Sequence, residues 1–382
     1  MTETISDKKT IIFAGGGTGG HLLPGIAVAE QLDSQSAFRF FFVGSNRTVE
    51  QKIIESAGYQ HLRLPSSSTS DLKRTPVRFL WNNSRAFLQA RRFLRKEKPA
   101  VVIGLGGFAS VPVVFAASRL KIPVVLLEQN IIAGRANQFL FSRSNLVCTS
   151  FAETSFKSAD NTKTDQPRIV FTGNPVRKKI LKSASSNETI INKLDRTLIL
   201  VLGGSQGATA VNDAVVSMLK QCSDVLLCKL HLVHQAGTQD YRNVENAYQQ
   251  LKETYPELQV TVQPFIENLS EWYSQAGLII SRAGATTLAE LACVGCPTVL
   301  IPFPDSIGDH QLLNARFFED SGAAVLVEQS HEITSTAKLL GDVVLTLLTD
   351  CDQRDKMRQS MIKISLPQAA RDVAVEVTKL IN

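Results

Sequence analysis

Metal-ligand spacing is scarce in this chain. Six cysteines stand at 148, 222, 228, 293, 296 and 351, and only Cys293-Val-Gly-Cys296 has a suggestive spacing. A zinc site needs two further ligands of compatible geometry, and no second cysteine pair or paired histidine motif supplies them. The pair also closes an apolar helical run, Leu288–Val294, before Pro297, whereas a redox Cys-x-x-Cys opens a helix. Small buried side chains are the expected role. The N-terminus mixes acidic and basic residues without an apolar signal core, so no secretory segment is expected and the protein is placed in the cytosol. Pro99 to Ser118 is uncharged, but Gly104, Gly106, Gly107 and Pro112 interrupt it. That pattern predicts a buried strand over Ala100–Leu105, a glycine turn and a helix from near Val111 or Pro112, not a membrane span.

Two glycine-rich loops are present. Gly15-Gly16-Gly17-Thr18-Gly19-Gly20-His21 follows the apolar run Ile11–Ala14, and Gly203-Gly204-Ser205-Gln206-Gly207-Ala208 follows Leu198–Leu202. Helical runs come after each, at Pro24–Ala29 and Val211–Val216. Glycine lets backbone approach a phosphate closely, and the helix N-terminus behind it supplies free N–H groups and positive dipole. Two such loops in matching places predict two nucleotide-fold halves facing one cleft.

Strand-like and helix-like runs alternate throughout. The strand-like runs are Phe38–Val43, Val101–Leu105, Val124–Leu127, Leu146–Thr149 and Ile169–Thr172, then Leu198–Leu202, Leu230–His234, Val260–Val262, Leu278–Ile280, Thr298–Ile301 and Ala323–Val327. Alternation of this kind specifies α/β domains with helix-covered parallel sheets. The expected domains are 8–173 and 174–364, with Gly173–Arg177 as a short linker and the amphipathic end, within 365–382, packing back on the first domain.

The net charge of +6 is unevenly distributed. Lys73, Arg74, Arg78, Arg85, Arg91, Arg92, Arg95, Lys96 and Lys98 face Glu97 alone across residues 73–98, interleaved with Phe79, Leu80, Trp81, Phe87, Leu88, Phe93 and Leu94. This basic amphipathic character suits an anionic membrane surface or a phosphorylated partner. A solvated helix whose aromatics face the core is the competing reading. No nucleic-acid reading motif accompanies the patch, so nucleic acid is not expected as a partner.

Gly15-x-Gly17-x-x-Gly20 matches the dinucleotide fingerprint literally. An NAD enzyme, however, needs an acidic residue after the second strand, and Gly44-Ser45-Asn46 stands there. A dehydrogenase and a non-catalytic membrane-bound scaffold are the alternatives of other classes.

The most specific stretch is Ser281-Arg282-Ala283-Gly284-Ala285-Thr286-Thr287-Leu288-Ala289-Glu290, followed by Pro302-Phe303-Pro304 and Asp309-His310-Gln311-Leu312-Leu313-Asn314-Ala315. With the GGGTGGH start, Glu128-Gln129-Asn130, Gly173–Arg177 and GGSQGA in this order, the chain resembles the MurG family from about Thr10 to Val327. The resemblance implies a GT-B fold of two Rossmann-like domains, the second binding most of the donor. It implies an inverting transfer of N-acetylglucosamine (GlcNAc) from UDP-GlcNAc to the muramyl 4-hydroxyl of undecaprenyl-pyrophosphoryl-MurNAc-pentapeptide, lipid I, at the cytoplasmic face of the membrane. A GT-B enzyme with another acceptor is the rival within the class.

Residue roles follow from the same resemblance. Glu290 would accept hydrogen bonds from the ribose hydroxyls, although Thr287-Leu-Ala-Glu290 also has capping-box spacing. Ser205, with Gln206, would meet a donor phosphate, or Ser205 would simply cap its helix. Ile266 matches a position whose backbone meets the uracil. Arg177, Arg282, Ala285 and Thr286 join the donor set, as do Thr18, Gly19 and Gly20. Asn130 and Gln311 would bind sugar hydroxyls, since amides donate and accept at once. Gly16, Gly17, Gly106, Gly107 and Ser110 fall on the acceptor side. The reaction needs a general base. His21, at a helix N-terminus whose dipole favours neutral imidazole, is the candidate; binding the acceptor pyrophosphate or capping the loop are its other readings. Glu128 is the reserve base.

No metal or other cofactor is required, because loop N–H groups and a helix dipole can carry the leaving-group charge. Asp350-Cys-Asp352 is a literal D-x-D, but it lies far past the donor motifs, where a turn or helix cap is expected. Four features depart from the family pattern: Leu127 and Val111 on the acceptor side, His310 before Gln311, and Ser66-Ser67-Ser68-Thr69-Ser70 where relatives often have a glycine-rich segment.

Overall fold

The computed structural model describes residues 8–17, 19–34, 37–157, 166–184, 196–204, 207–223 and 227–382. Thr18, Ser205 and Gln206 lie outside them. The chain divides into two compact units, one of residues up to Arg177 with Pro367–Asn382, the other Lys178–Leu366.

The first unit runs β1 (Lys9–Gly15), α1 (Gly19–Asp33), β2 (Phe38–Gly44), α2 (Thr48–Ser56), β3 (Gln60–Arg63), α3 (Thr69–Arg74), α4 (Pro76–Glu97), β4 (Val101–Gly106), α5 (Ser110–Arg119), β5 (Val124–Glu128), α6 (Arg135–Leu140), β6 (Leu146–Thr149) and β7 (Arg168–Phe171). The second runs α7 (Lys178–Ala184), β8 (Thr197–Leu202), α8 (Thr209–Leu219), β9 (Leu230–Gln235), α9 (Tyr241–Thr254), β10 (Gln259–Gln263), α10 (Leu269–Tyr273), β11 (Leu278–Ser281), α11 (Ala285–Val294), β12 (Thr298–Leu300), α12 (His310–Asp320), β13 (Ala324–Leu326), α13 (Ile333–Thr349) and α14 (Cys351–Ile364). A last helix, α15 (Ala369–Ile381), returns to the first unit.

Among the described residues the first sheet has the order β3-β2-β1-β4-β5-β6-β7 and the second β10-β9-β8-β11-β12-β13. Both are parallel. Strand order therefore reverses beside β1 and β4 in one unit and beside β8 and β11 in the other. Loops leaving the C-terminal ends of those strands open into the crevice where doubly wound sheets bind ligands. The two glycine-rich loops leave β1 and β8.

Each central strand is apolar without alternation because helices bury both of its faces. Along β1, Ile11 and Phe13 enter one core while Ile12 and Ala14 enter the other. Phe13 stacks on Phe42 with ring centroids 4.8 Å apart. α15 adds Val373, Ala374 and Val377 to the first of these cores. Its Glu376 pairs with Arg168 and accepts from Lys379 Nζ at 2.8 Å.

The uncharged stretch after Pro99 is β4, a glycine turn and α5. Among the described residues no helix is long and apolar enough to cross a membrane, and no group of three or more His, Cys, Asp or Glu could hold a metal. Cys296 is buried with Sγ 3.2 Å from the Ala276 carbonyl, and burial pushes the Cys293 thiol up to about 12. Asp350 caps α14, accepting from Gln353 N at 2.9 Å.

α4 divides its apolar residues between two environments. Ala86, Ala90 and Leu94 are buried, and Phe93 packs edge-on against Phe41. Val77, Leu80 and Trp81 are 80%, 61% and 65% exposed. A concavity of about 620 Å³ is lined by Thr75, Pro76, Val77, Arg78 and Trp81. The reading in which the aromatics simply face the core holds for Phe93 and not for Trp81.

Candidate functional site

In the first unit the loop leaving β1 is held from both sides. Gly17 has φ +100°, a conformation that favours glycine. Its N–H donates to Glu50 Oε1 at 2.6 Å, and its carbonyl accepts from Arg47 Nη1 at 2.8 Å. α1 begins at Gly19, ahead of the helical run that starts at Pro24, and so places His21 in its first turn.

The loop leaving β4 supplies the opposite wall. Gly106 and Gly107 both have positive φ, at 93° and 73°. A Cβ on Gly107 would stand 2.4 Å from the Gly16 carbonyl oxygen, and one on Gly106 would stand 3.0 Å from Cδ2 of His21. The His21 ring thus lies against a surface that only glycines can form. Ser110 is buried and donates its hydroxyl to the Gly107 carbonyl at 2.8 Å. The structure brings Gly16, Gly17, His21, Gly106, Gly107 and Ser110 together.

Glu128 stands at the end of β5, almost wholly buried. Its carboxylate accepts from Asn130 N, Asn130 Nδ2, Gly134 N and Asn137 Nδ2 at 3.0, 3.2, 2.9 and 2.8 Å. Burial pushes its pKa above the usual carboxylate value, and the hydrogen bonds pull the other way. This carboxylate organises residues 128–137. Asn130 is held by it, and Gln129 reaches back to the Leu105 carbonyl at 3.1 Å.

In the second unit Gly204 and Gly207 have φ of 90° and 83°. A Cβ on Gly207 would stand 2.7 Å from the Ala236 carbonyl oxygen, so this loop is pressed onto the end of β9. Gln235 bridges two segments. Its Nε2 donates to the Gly204 carbonyl at 3.0 Å, and its Oε1 accepts the Ile266 amide at 3.0 Å. Behind it, His234 bonds Tyr248 and Asn212 at 2.8 and 3.0 Å, and burial lowers its pKa to about 3. Asn212 and Thr209 both donate to Asp240 Oδ2, tying the start of α8 to this network.

Glu290 is buried on α11, with the Tyr273 hydroxyl 3.4 Å from its Oε2. α11 is capped by Gly284 and starts at Ala285, so Thr287 and Glu290 lie inside the helix and form no capping box. Thr286 and Ala285 occupy its first turn, where free N–H groups gather. Arg282 is committed to its own scaffold. It donates to the carbonyls of Ile301 and Pro302 at 3.0 Å each and to Gln329 Oε1 at 2.8 Å, beneath Phe303. Burial lowers its pKa to about 10, which leaves it charged. Gln311 Oε1 accepts the Phe303 amide at 3.0 Å, and half-buried His310 meets the Ile307 carbonyl at 2.9 Å. Arg177 ends the first unit.

Sequence reasoning passed over Glu50 and Gln235. Glu50 sits in an ordinary polar helix, and Gln235 ends a strand. Only the preceding glycines, which let loops approach both side chains, carry a hint of them.

Two parallel sheets of Rossmann order, each with a glycine-rich loop at its reversal point, make a GT-B fold, and the family matches make the chain a glycosyltransferase. The description "Glycosyltransferase family 28 N-terminal domain" matches residues 11–149, and "Glycosyltransferase family 28 C-terminal domain" matches 198–375. A UDP-N-acetylglucosamine–N-acetylmuramyl-(pentapeptide) pyrophosphoryl-undecaprenol N-acetylglucosamine transferase of Anaeromyxobacter sp. (strain Fw109-5) is 36% identical over 97% of this chain and 93% of its own. A protein of the same name from Desulfotalea psychrophila is 34% identical over 100% of this chain and 99% of its own. The crystal structure of Acinetobacter baumannii MurG superposes with a TM-score of 0.73 at 29% identity, covering 97% of this chain and 99% of that one. The chain belongs to the MurG family of N-acetylglucosamine transferases.

Proposed function

We propose that this enzyme moves GlcNAc from UDP-GlcNAc to the 4-hydroxyl of the muramyl sugar of lipid I, with inversion at the anomeric carbon. The observation that carries the site assignment is the pair of glycine-rich loops at the two reversal points, one beside His21 and the other tied to Ile266 through Gln235.

The second unit holds the donor. Backbone N–H groups at the start of α8 and α11 favour the diphosphate, with Ser205 and Gln206 in the first of these loops. Glu290 accepts from the ribose hydroxyls, the backbone near Ile266 meets the uracil, and the amide of Gln311 serves the sugar, as does that of Asn130 from the first unit. The first unit holds the acceptor against Gly16, Gly17, Gly106, Gly107 and Ser110. His21 takes the proton as the 4-hydroxyl oxygen bonds to the anomeric carbon. The bond from that carbon to the β-phosphate oxygen breaks, and UDP leaves with the electron pair. Glu128 holds the 128–137 loop in this scheme, because four hydrogen bonds occupy its carboxylate.

The enzyme works as a peripheral protein at the cytoplasmic membrane face, with Val77, Leu80 and Trp81 entering the headgroup region and Arg78 and Arg85 meeting anionic lipid. Support comes from the exposure of those apolar side chains beside the basic ones on one helix.

The test is transfer of labelled GlcNAc to a short-chain lipid I analogue by wild type, His21→Ala and Glu290→Ala. Transfer is expected to be lost in both, with UDP binding weakened only by Glu290→Ala. A folded wild type that binds UDP and does not transfer would remove lipid I as acceptor.

A further inference from the structure

We propose that Glu50 is a positioning residue for the transfer, a buried carboxylate that holds the β1–α1 glycine loop in its working shape and thereby sets the place of His21. This rests on the reading above that the β1–α1 loop serves the acceptor.

Glu50 is fully buried in the first turn of α2, where the helix dipole favours an anion. Three donors converge on its carboxylate: Gly17 N at 2.6 Å and the Ser45 hydroxyl at 2.5 Å on Oε1, and Ser45 N at 2.6 Å on Oε2. The flanking backbone is pressed against it. A Cβ on Gly16 would stand 2.6 Å from both carboxylate oxygens, and one on Gly44 would stand 2.4 Å from Oε2. The neighbouring Arg47 binds the Gly17 carbonyl at 2.8 Å and lies over the Phe108 ring at 5.4 Å. Both polar groups of the Gly17 backbone are therefore fixed by the segment that follows β2.

From there the packing runs directly to the catalytic candidate. Gly16, whose Cα side faces Glu50, turns its carbonyl to Gly107, and Gly106–Gly107 form the surface against which His21 rests. Displacing Glu50 would shift Gly16 and, with it, the seat of the imidazole.

The chemistry requires a carboxylate at this position. Backbone N–H groups point at both oxygens, so an amide of the same shape would turn its NH2 toward a donor in either orientation. A neutral side chain of equal size cannot reproduce the contact, and burial of an unmatched polar group is unfavourable.

The experiment compares wild type, Glu50→Gln, Glu50→Asp and Ser45→Ala as full chains. It measures UDP affinity by calorimetry, kcat and KM with a short-chain acceptor, and the His21 imidazole resonances by NMR. Glu50→Gln is expected to keep UDP affinity within about twofold and to lose kcat on the order of 10²-fold, the scale of a small misplacement of catalytic groups. Its His21 resonances are expected to move. Glu50→Asp, shorter but charged, should recover more of kcat than Glu50→Gln, and Ser45→Ala, which leaves two donors in place, should lose kcat by a smaller factor.

Wild-type kcat in Glu50→Gln overturns the proposal, as does parallel loss of UDP binding and folding in Glu50→Gln and Ser45→Ala alike. Should Glu50→Gln fail to fold, Ser45→Ala decides: an unchanged kcat and unmoved His21 resonances overturn the proposal, and a selective loss of kcat upholds it. His21→Ala separates the two readings. If it is inactive while Glu50→Gln is fully active, the positioning role fails and the base assignment stands. If it is fully active while Glu50→Gln is impaired, the base assignment fails, the part of the proposal that runs through His21 fails with it, and only the hold of Glu50 on the loop stands.

Discussion

Gln235 accepts the amide of Ile266 at 3.0 Å while its other side-chain atom donates to the carbonyl of Gly204, so one side chain fixes both segments assigned to the donor. Gln235→Leu keeps much of the volume and removes both bonds. It is expected to weaken UDP binding by about 1–2 kcal/mol, roughly tenfold or somewhat more, and to lower stability by about 1–3 kcal/mol because the buried Ile266 amide loses this acceptor. Calorimetric titration with UDP checks this, and an unaltered Kd would show that the bridge does not shape the donor site.

Arg282 gives the opposite expectation. Its guanidinium satisfies the Ile301 and Pro302 carbonyls and Gln329. Arg282→Met would leave these buried acceptors unmet and is expected to cost about 2–4 kcal/mol of stability. The denaturation midpoint should fall before UDP affinity does. Lost affinity at full stability would return Arg282 to the nucleotide.

His234 makes stability depend on pH. Its folded pKa is about 3, depressed from 6.5 by burial. Above pH 6.5 both folded and unfolded states are neutral there and stability is fully present. As pH falls toward 3 the unfolded chain takes a proton that the folded one refuses, and stability drops on the order of 1.4 kcal/mol per pH unit from this group. Between pH 7 and 5 the loss attributable to it is about 2 kcal/mol. Denaturation of wild type and His234→Gln across this range tests it; equal slopes in the two proteins would refute the assignment.

Trp81 and its basic neighbours predict an electrostatic, salt-sensitive attachment. Cosedimentation with anionic vesicles should fall as salt rises, with each lysine or arginine near the surface contributing about 1 kcal/mol. Trp81→Glu should reduce it further. Equal binding to neutral and anionic vesicles would argue against this surface.

Most elements were readable in the chain. Leu146–Thr149 is predicted with its observed limits, and the other strand-like runs fall within a residue or two of theirs; for the central strands the reason is that burial on both faces needs an unbroken apolar run. β3 escaped because Gln-His-Leu-Arg is a short edge strand with little apolar content. The helix holding Glu290 starts earlier than its Thr-x-x-Glu spacing suggests, because Gly284 takes the cap.

What the sequence determined by itself is the alternation of strands and helices, the two glycine-rich loops and the ordered motifs of the family. Each is a local pattern imposed by periodicity or backbone freedom. Only the tertiary structure decided that Glu50 meets the Gly17 amide, that Gln235 joins Gly204 to Ile266 and that Arg282 bonds the Ile301 and Pro302 carbonyls. Those pairings depend on which loops a parallel sheet sets side by side at the ends of its strands. Residues far apart in sequence meet there, and their chemistry is fixed by the donors and acceptors they find.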